Sequence, residues 1–170
     1  DGIIDEHRKQ GTDSGDLLSM LLEARVEEGK PMEAKQLRDE VVKLFIAGHE
    51  TTANTLTWAF YLLSENPGIT EKLMAEIATL KGQTPTVRDL PQMPYSEQVI
   101  KETMRLYPAA GGVARQPLHD IELGGYRIPK GSNVAISTYA MQRDPKLFPD
   151  PLRFDPERFA PENEGNIPRY

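Results

Sequence analysis

Cysteine is absent from this 170-residue chain, which excludes disulfide scaffolds, thiolate zinc sites and thiol nucleophiles within these residues. Histidine is scarce: His7, His49 and His119 are too few and too far apart to suggest a metal cage. Positive charge is not in excess either. The 20 basic residues stand against 26 acidic ones, a net charge of −6, and no basic patch is visible, which argues against a nucleic-acid partner. A long uninterrupted apolar run is also lacking. The most apolar part, residues 41–63, is broken by Lys43, His49, Glu50 and Asn54, so it makes a poor membrane span. The chain opens on Asp1-Gly2 with neither an initiator methionine nor a basic-then-apolar targeting segment. The expectation is a cytoplasmic stretch from inside a longer protein, with an upstream anchor left open.

What is present is a 38% hydrophobic composition, enough for one compact domain that buries roughly 70% of its unfolded surface if it is a complete unit. Leu17, Leu18, Leu21, Leu22 and Val26 fall at helical spacing and predict a helix over 16–28, with Gly29 as its stop. A second helical pattern runs from about Ala34 to Ser64 and ends at Asn66-Pro67. Its apolar residues, Leu44, Phe45, Leu56, Trp58, Phe60, Leu62 and Leu63, surround the axis, which predicts a central helix buried on most sides. Asn66 is expected to cap the next helix and Pro67 to occupy its first turn. There Ile69, Leu73, Ile77 and Leu80 give one face before Gly82. Thr86 to Leu90 suggests a short turn. Val99, Ile100, Thr103 and Leu106 predict a helix over 95–106 that Pro108 closes. Short strands of a small sheet then follow at 113–116, 121–123, 126–128 and 133–137, with turns at Gly124-Gly125 and Lys130-Gly131. The proline-rich tail from Arg143 reads as ordered coil, because Leu147, Phe148, Phe154 and Phe159 still need burial. The predicted class is mainly α with a small β-sheet (α+β): a single partial domain with a helical part over 1–110, a sheet over 111–140 and a meander over 141–170.

Two constellations stand out. The stretch Ala47-Gly48-His49-Glu50-Thr51-Thr52 interrupts the apolar helix with small and polar residues. His49-Glu50 begins like a zinc-protease helix, but the second histidine would fall at Ala53, so that reading fails. A packing account remains: Gly48 makes room for a crossing helix, while Thr51, Thr52 and Asn54 bond back to the preceding turn. The chemical account is that Ala47-Gly48 lets a flat ligand approach the backbone. A threonine hydroxyl and a neighbouring carboxylate then handle protons in a widened, hydrated notch. The second constellation is Glu102-Thr103-Met104-Arg105, whose carboxylate and guanidinium lie three apart on a helix and can pair in a bidentate fork. On an exposed face such a pair contributes little. The flanking Ile100, Leu106 and Pro108 suggest burial, and Arg158 of Phe154-Asp155-Pro156-Glu157-Arg158-Phe159 supplies a third partner.

With these residues in view, the chain resembles the cytochromes P450, the haem-thiolate monooxygenases. AGHETT resembles their oxygen-activating helix motif, ETMR their Glu-x-x-Arg, and FDPERF the coil segment that completes a Glu-Arg-Arg triad. The motif order agrees over nearly the whole chain. The resemblance implies a partial cytochrome P450 fold and a haem b cofactor in the parent enzyme. It implies that Thr51 is the hydroxyl that stabilises dioxygen at the iron and relays protons, and that Glu50 is the adjoining acid. Ala47 and Gly48 would line the distal haem face. Arg115 would pair with a haem propionate, its alternative being an exposed strand arginine. Ala109, Ala110, Gly111, Gly112 and Val113 would border the substrate pocket. Glu102, Arg105 and Arg158 would be structural.

One departure counts against function in isolation. In the family, a loop with the proximal cysteine follows the FDPERF segment, and its thiolate favours O–O cleavage. No cysteine is present here, so no metal ligand is expected from this chain. Haem retention by the segment alone should be feeble, and its central helix should expose apolar surface that invites self-association. The expected function of the parent is insertion of one oxygen atom from dioxygen into an apolar small molecule, with electrons from a ferredoxin, flavodoxin or reductase. The competing expectation is a non-catalytic folding or interaction module. Fatty acids, terpenoids and xenobiotics all stay open as substrates.

Overall fold

Apolar periodicity and proline punctuation account for most of the architecture. The computed structural model describes residues 16–23 and 32–167, together with 2, 4 and 6. Contacts divide the chain into two compact units, residues 1–50 and 51–170, and the division falls inside a helix.

In the first unit, α1 (Leu17–Glu23) begins where Asp16 Oδ1 accepts the Ser19 N–H at 2.8 Å, a side-chain cap for one of the donors that a helix start leaves unpaired. The predicted continuation to Glu28 and the Gly29 stop lie outside the described residues. Helix α2 (Ala34–Glu65) starts as predicted and runs on into the second unit. In the first unit Leu37 is its buried residue, and the Phe45 and His49 rings stack one turn apart at 5.7 Å.

Pro67, which has no N–H and disfavours helix at the residue before it, ends α2 and opens α3 (Pro67–Ala78). Asn66 is the N-cap by position, as expected, but its side chain does not cap α3. It turns back, and Nδ2 donates to the Leu62 carbonyl at 2.8 Å, closing α2. A carboxamide between two helices can serve either end, and here the unpaired carbonyl of α2 takes it. Gly82, at φ +78°, follows α3 in the left-handed conformation that the predicted stop requires. Helix α4 (Pro94–Leu106) is held at its start by Glu76 of α3, which accepts the Tyr95 and Ser96 N–H groups at 2.7 and 2.8 Å. A carboxylate at that end also suits the helix dipole.

The strands are β1 (Val113–Arg115), β2 (Ile121–Leu123), β3 (Tyr126–Ile128) and β4 (Val134–Ile136). They do not form the one small sheet expected. β1 pairs antiparallel with β4, and β2 with β3, as two separate two-stranded ribbons. Pro117 and Pro129 sit on the two legs between the ribbons, and neither can donate to a continuous ladder. A short α5 (Thr138–Met141), absent from the sequence reading, follows, capped by Ser137 Oγ. The tail is coil with 3₁₀ turns at Pro156–Phe159 and Glu164–Asn166.

The core of the second unit gathers Leu62 of α2, Val99 and Leu106 of α4, and Phe154 of the coil, with Leu63, Ile69, Leu73, Tyr95 and Tyr107 against them. Each such side chain contributes about 1.5–3 kcal/mol by leaving water. The tail aromatics divide accordingly: Phe148 and Phe154 are buried, whereas Leu147 and Phe159 are half-buried. The expected burial of α2 on most sides is not found. Ala59 and Leu62 are buried, but Val42, Leu44, Phe45, Ile46, Leu56 and Phe60 are exposed. A helix apolar all round buries only the faces that other elements cover, and among the described residues those meet one stripe. No helix of the described residues is long and apolar enough to cross a membrane.

Candidate functional site: a cleft beside Thr51 and a buried Glu-Arg knot

The threonines that interrupt the apolar helix open onto a cleft. Thr51, Thr52, Thr55 and Leu56 of α2 form one wall, Ile100 and Met104 of α4 the other, and Ala109 closes it, around a volume of ≈ 350 Å³. Spacing explains the walls. Positions 51/52, 55 and 56 share a face of α2, and 100 and 104 are one turn apart on α4. The lining is mainly methyl, methylene and thioether, with hydroxyls on the α2 side alone. Such a cleft suits the edge of a flat, largely apolar molecule that carries a few polar atoms.

Within α2, back-bonding of the kind foreseen for the threonine notch is seen at Thr55 and Thr57. Thr55 Oγ1 donates to the Thr51 carbonyl at 2.9 Å and Thr57 Oγ1 to the Ala53 carbonyl at 2.8 Å. Gly48 does not face a crossing helix among the described residues, since a Cβ placed on it meets no atom within 4 Å. Ala47, Gly48, Glu50 and Thr51 are all exposed.

Beyond the cleft, α4 carries the knot. Arg105 Nε and Nη2 donate to Glu102 Oε2 and Oε1 at 2.7 and 2.8 Å, the expected bidentate fork. Arg105 Nη1 donates to the Gln142 and Pro151 carbonyls at 2.7 and 2.8 Å, and Nη2 also to Arg153 O at 3.1 Å. All five guanidinium donors are thereby used. Glu102 Oε1 also accepts the Asp155 N–H at 2.9 Å. The pair is sealed, Glu102 at 0% and Arg105 at 2% exposure. Arg158 joins more loosely. Its Nε stands 3.4 Å from Glu102 Oε1, near enough for attraction but without a hydrogen bond. Its Nη2 donates instead to Asp150 O at 2.8 Å.

The remaining sequence candidates fall between these places. Of residues 109–113, only Ala109 lines the cleft. Ala110 O accepts Thr138 Oγ1 at 3.0 Å and Gly111 O the Tyr139 N–H at 3.2 Å, while Val113 pairs with Ile136 in the β1–β4 ribbon. At Gly112 a Cβ would come within 2.8 Å of the Ile136 carbonyl, so that ribbon has no room for a side chain there. Arg115 is exposed in β1, its Nη1 donating to the Ala114 carbonyl at 2.9 Å, and it makes no ion pair among the described residues.

Sequence reasoning missed Thr52, Thr55, Leu56, Ile100 and Met104, although the one-turn spacing of two facing helices was a usable signal. It also missed a layered stack. The Trp58 and Tyr107 rings lie 4.0 Å apart at an angle of 4°, and the Arg143 guanidinium sits between Tyr107, at 5.3 Å, and Tyr139, at 3.8 Å. Nothing local in the sequence announces contacts between residues 58, 107, 139 and 143.

A long helix with a threonine notch, a sealed Glu-x-x-Arg pair and a meander locked onto it together define the class of fold. The family comparison agrees: a model of the cytochrome P450 family matches residues 1–170. The chain belongs to the cytochrome P450 family. Among its relatives, cyclooctat-9-en-7-ol 5-monooxygenase of Streptomyces melanosporofaciens is 42% identical, covering 99% of this chain and 37% of the relative. Pentalenene oxygenase of Streptomyces avermitilis is 38% identical, with 98% and 37% covered. Human cytochrome P450 4V2 is 42% identical, with 89% and 30% covered. Of solved structures, a cyanobacterial CYP120A1 bound to retinoic acid is similar at a TM-score of 0.89 and 34% identity, covering 99% of this chain and 39% of that one. The chain therefore spans somewhat over a third of the Streptomyces relatives' length. Family membership implies haem as the cofactor.

Proposed function

We propose that this chain contributes the oxygen-side helix and the structural knot of a monooxygenase that inserts one atom of dioxygen into an apolar substrate. The observation that carries this reading is the cleft, which brings Thr51 and Ala109, two residues singled out from different motifs, to one mainly apolar opening.

The residues present fit part of a haem. An apolar cleft edged by hydroxyls suits the rim of a macrocycle, and the exposed guanidinium of Arg115 is available to a propionate. No cysteine is present to act as thiolate. When bound, haem supplies the activation of dioxygen. The chain's own part is to bind, orient and handle protons. Ala47 and Gly48 keep the helix backbone approachable, Thr51 Oγ1 holds and passes a proton, and the Glu50 carboxylate next in the chain replenishes it. Leu56, Ile100 and Met104 keep the cleft poor in water. Glu102, Arg105 and Arg158 fix α4 against the meander and take no part in the chemistry. Two electrons from a redox partner and two protons balance the reaction, which yields one oxygenated product and one water.

For the substrate class we favour a terpenoid, on the names of the two Streptomyces oxygenases. Haem b is the expected form, and the 170 residues alone are expected to retain it poorly and to be inactive. The lack of a cysteine and the exposed apolar face of α2 support that part of the reading. The test is the carbon monoxide spectrum of the reduced, haem-supplemented protein. Expressed from its complete reading frame, the protein should give a thiolate-type band, and a polypeptide of only these 170 residues should give none. A band from the short polypeptide, or none from the complete frame, refutes the proposal.

A further inference from the structure

Thr55 is half-buried in the cleft wall one helical turn beyond Thr51. Its Oγ1 donates to the Thr51 carbonyl at 2.9 Å, and two residues further on Thr57 Oγ1 does the same to Ala53 at 2.8 Å. A threonine hydroxyl bonded to the carbonyl four residues back competes with the helix N–H for that oxygen and bends the helix slightly. The Thr51 carbonyl thus serves two donors from one residue. In α2 that competition falls on the turn that carries the Thr51 side chain. β-branching leaves Thr55 few side-chain rotamers, so the bond is held without much entropic cost.

We propose that Thr55 is a positioning residue: its hydroxyl, by engaging the Thr51 carbonyl, sets the tilt of turn 51–55 and hence where Thr51 Oγ1 stands in the cleft. The inference rests on the reading of Thr51 as the proton-handling hydroxyl. Removing the Thr55 donor lets the turn straighten and moves Thr51 Oγ1 off its place. Protons then arrive wrongly, and dioxygen leaves as hydrogen peroxide after taking up two electrons and two protons, with no oxygen transferred to substrate.

The test uses haem-loaded protein expressed from its complete reading frame, with Thr55→Val, which keeps the shape and loses the donor, and Thr55→Ser, which keeps the donor. Thr55→Val should raise the ratio of peroxide to product about fivefold, the effect of one hydrogen bond. In the same variant the amide at position 55 should be about fivefold better protected from exchange, relative to the intrinsic rate of its own sequence, because it no longer shares the Thr51 carbonyl. Thr55→Ser should match the unaltered protein in both. Unchanged peroxide release in Thr55→Val overturns the inference, provided that Thr51→Val raises it. If Thr51→Val also leaves it unchanged, the reading of Thr51 has failed, and protection of the amide at position 55, relative to its intrinsic rate, decides the inference alone: greater protection supports it and unchanged protection ends it.

Discussion

Glu102 and Arg105 are sealed at 0% and 2% exposure, whereas Phe45 and Phe60 of α2 stand 69% and 70% exposed. The same chain therefore hides its charges in one place and shows its aromatic rings in another, the reverse of simple hydrophobic sorting. At α4 the charges are hidden because each has a partner: five guanidinium donors, one carboxylate, three backbone carbonyls and the Asp155 N–H close on one another. On α2 the rings are shown because the described residues bury only Leu37, Ala59 and Leu62 of its apolar side chains. The first region is complete in itself. The second leaves an apolar face open among the described residues, and the threonine cleft lies beside it.

The comparison is broken most forcefully at the knot. Glu102→Ala leaves Arg105 buried without its counter-charge and should cost about 3–5 kcal/mol of stability. Urea unfolding followed by circular dichroism measures it. Arg158→Ala, by the same measurement, should cost far less, since Arg158 Nε lacks a hydrogen bond to Glu102. Equal losses would mean that the three residues act as one symmetric triad.

The aromatic stack between the two regions gives a middle-sized effect. Arg143→Ala removes a guanidinium from between Tyr107 and Tyr139 and should cost about 1 kcal/mol. Because Trp58 is the only tryptophan and stacks on Tyr107, its fluorescence should shift in the folded variant. An unchanged emission spectrum would argue that the stack does not depend on Arg143.

Phe60→Glu sharpens the other side. At so exposed a position the substitution should change stability by less than about 0.5 kcal/mol, yet it should lower self-association of the 170-residue polypeptide as read by light scattering. Marked destabilisation would show that Phe60 is covered after all.

The smallest effect belongs to Asp120 at the β2–β3 ribbon. The Lys130 N–H, at 2.9 Å, and the Arg127 guanidinium, at 2.6 Å, hold its carboxyl below the usual value of 3.8. A lowered folded-state value means that the contribution is fully present above pH 3.8 and fades as pH falls through the folded value. Asp120→Asn should therefore lower the melting temperature slightly at pH 7 and leave it unchanged in strong acid. The site is solvent-exposed, so the difference should also shrink with added salt.

Legibility followed the same division. Helix α2 and the two middle strands were readable because the signals are local: spacing of apolar residues, Pro67 as a stop, Gly124-Gly125 as a turn. The Glu102–Arg105 fork was readable from three-residue spacing, and Arg158 from its motif. The carbonyls of Gln142, Pro151 and Arg153 that complete the knot were not, since any residue offers a carbonyl and only the folded coil aims it. Asn66 misled because one carboxamide serves either of two helix ends. The split into two ribbons was written in Pro117 and Pro129, whose missing donors decide where a ladder can continue. Thr55 escaped notice because a threonine beside a motif reads as helix surface until its partner is seen.

The central claim is that the turn at Thr51 faces a haem, and a crystal structure of the haem-loaded protein from the complete reading frame tests it most directly. The account predicts the macrocycle seated in the cleft between Thr51 and Ala109, with a propionate on Arg115. Thr51 packed into another helix, with the macrocycle bound elsewhere, would contradict it.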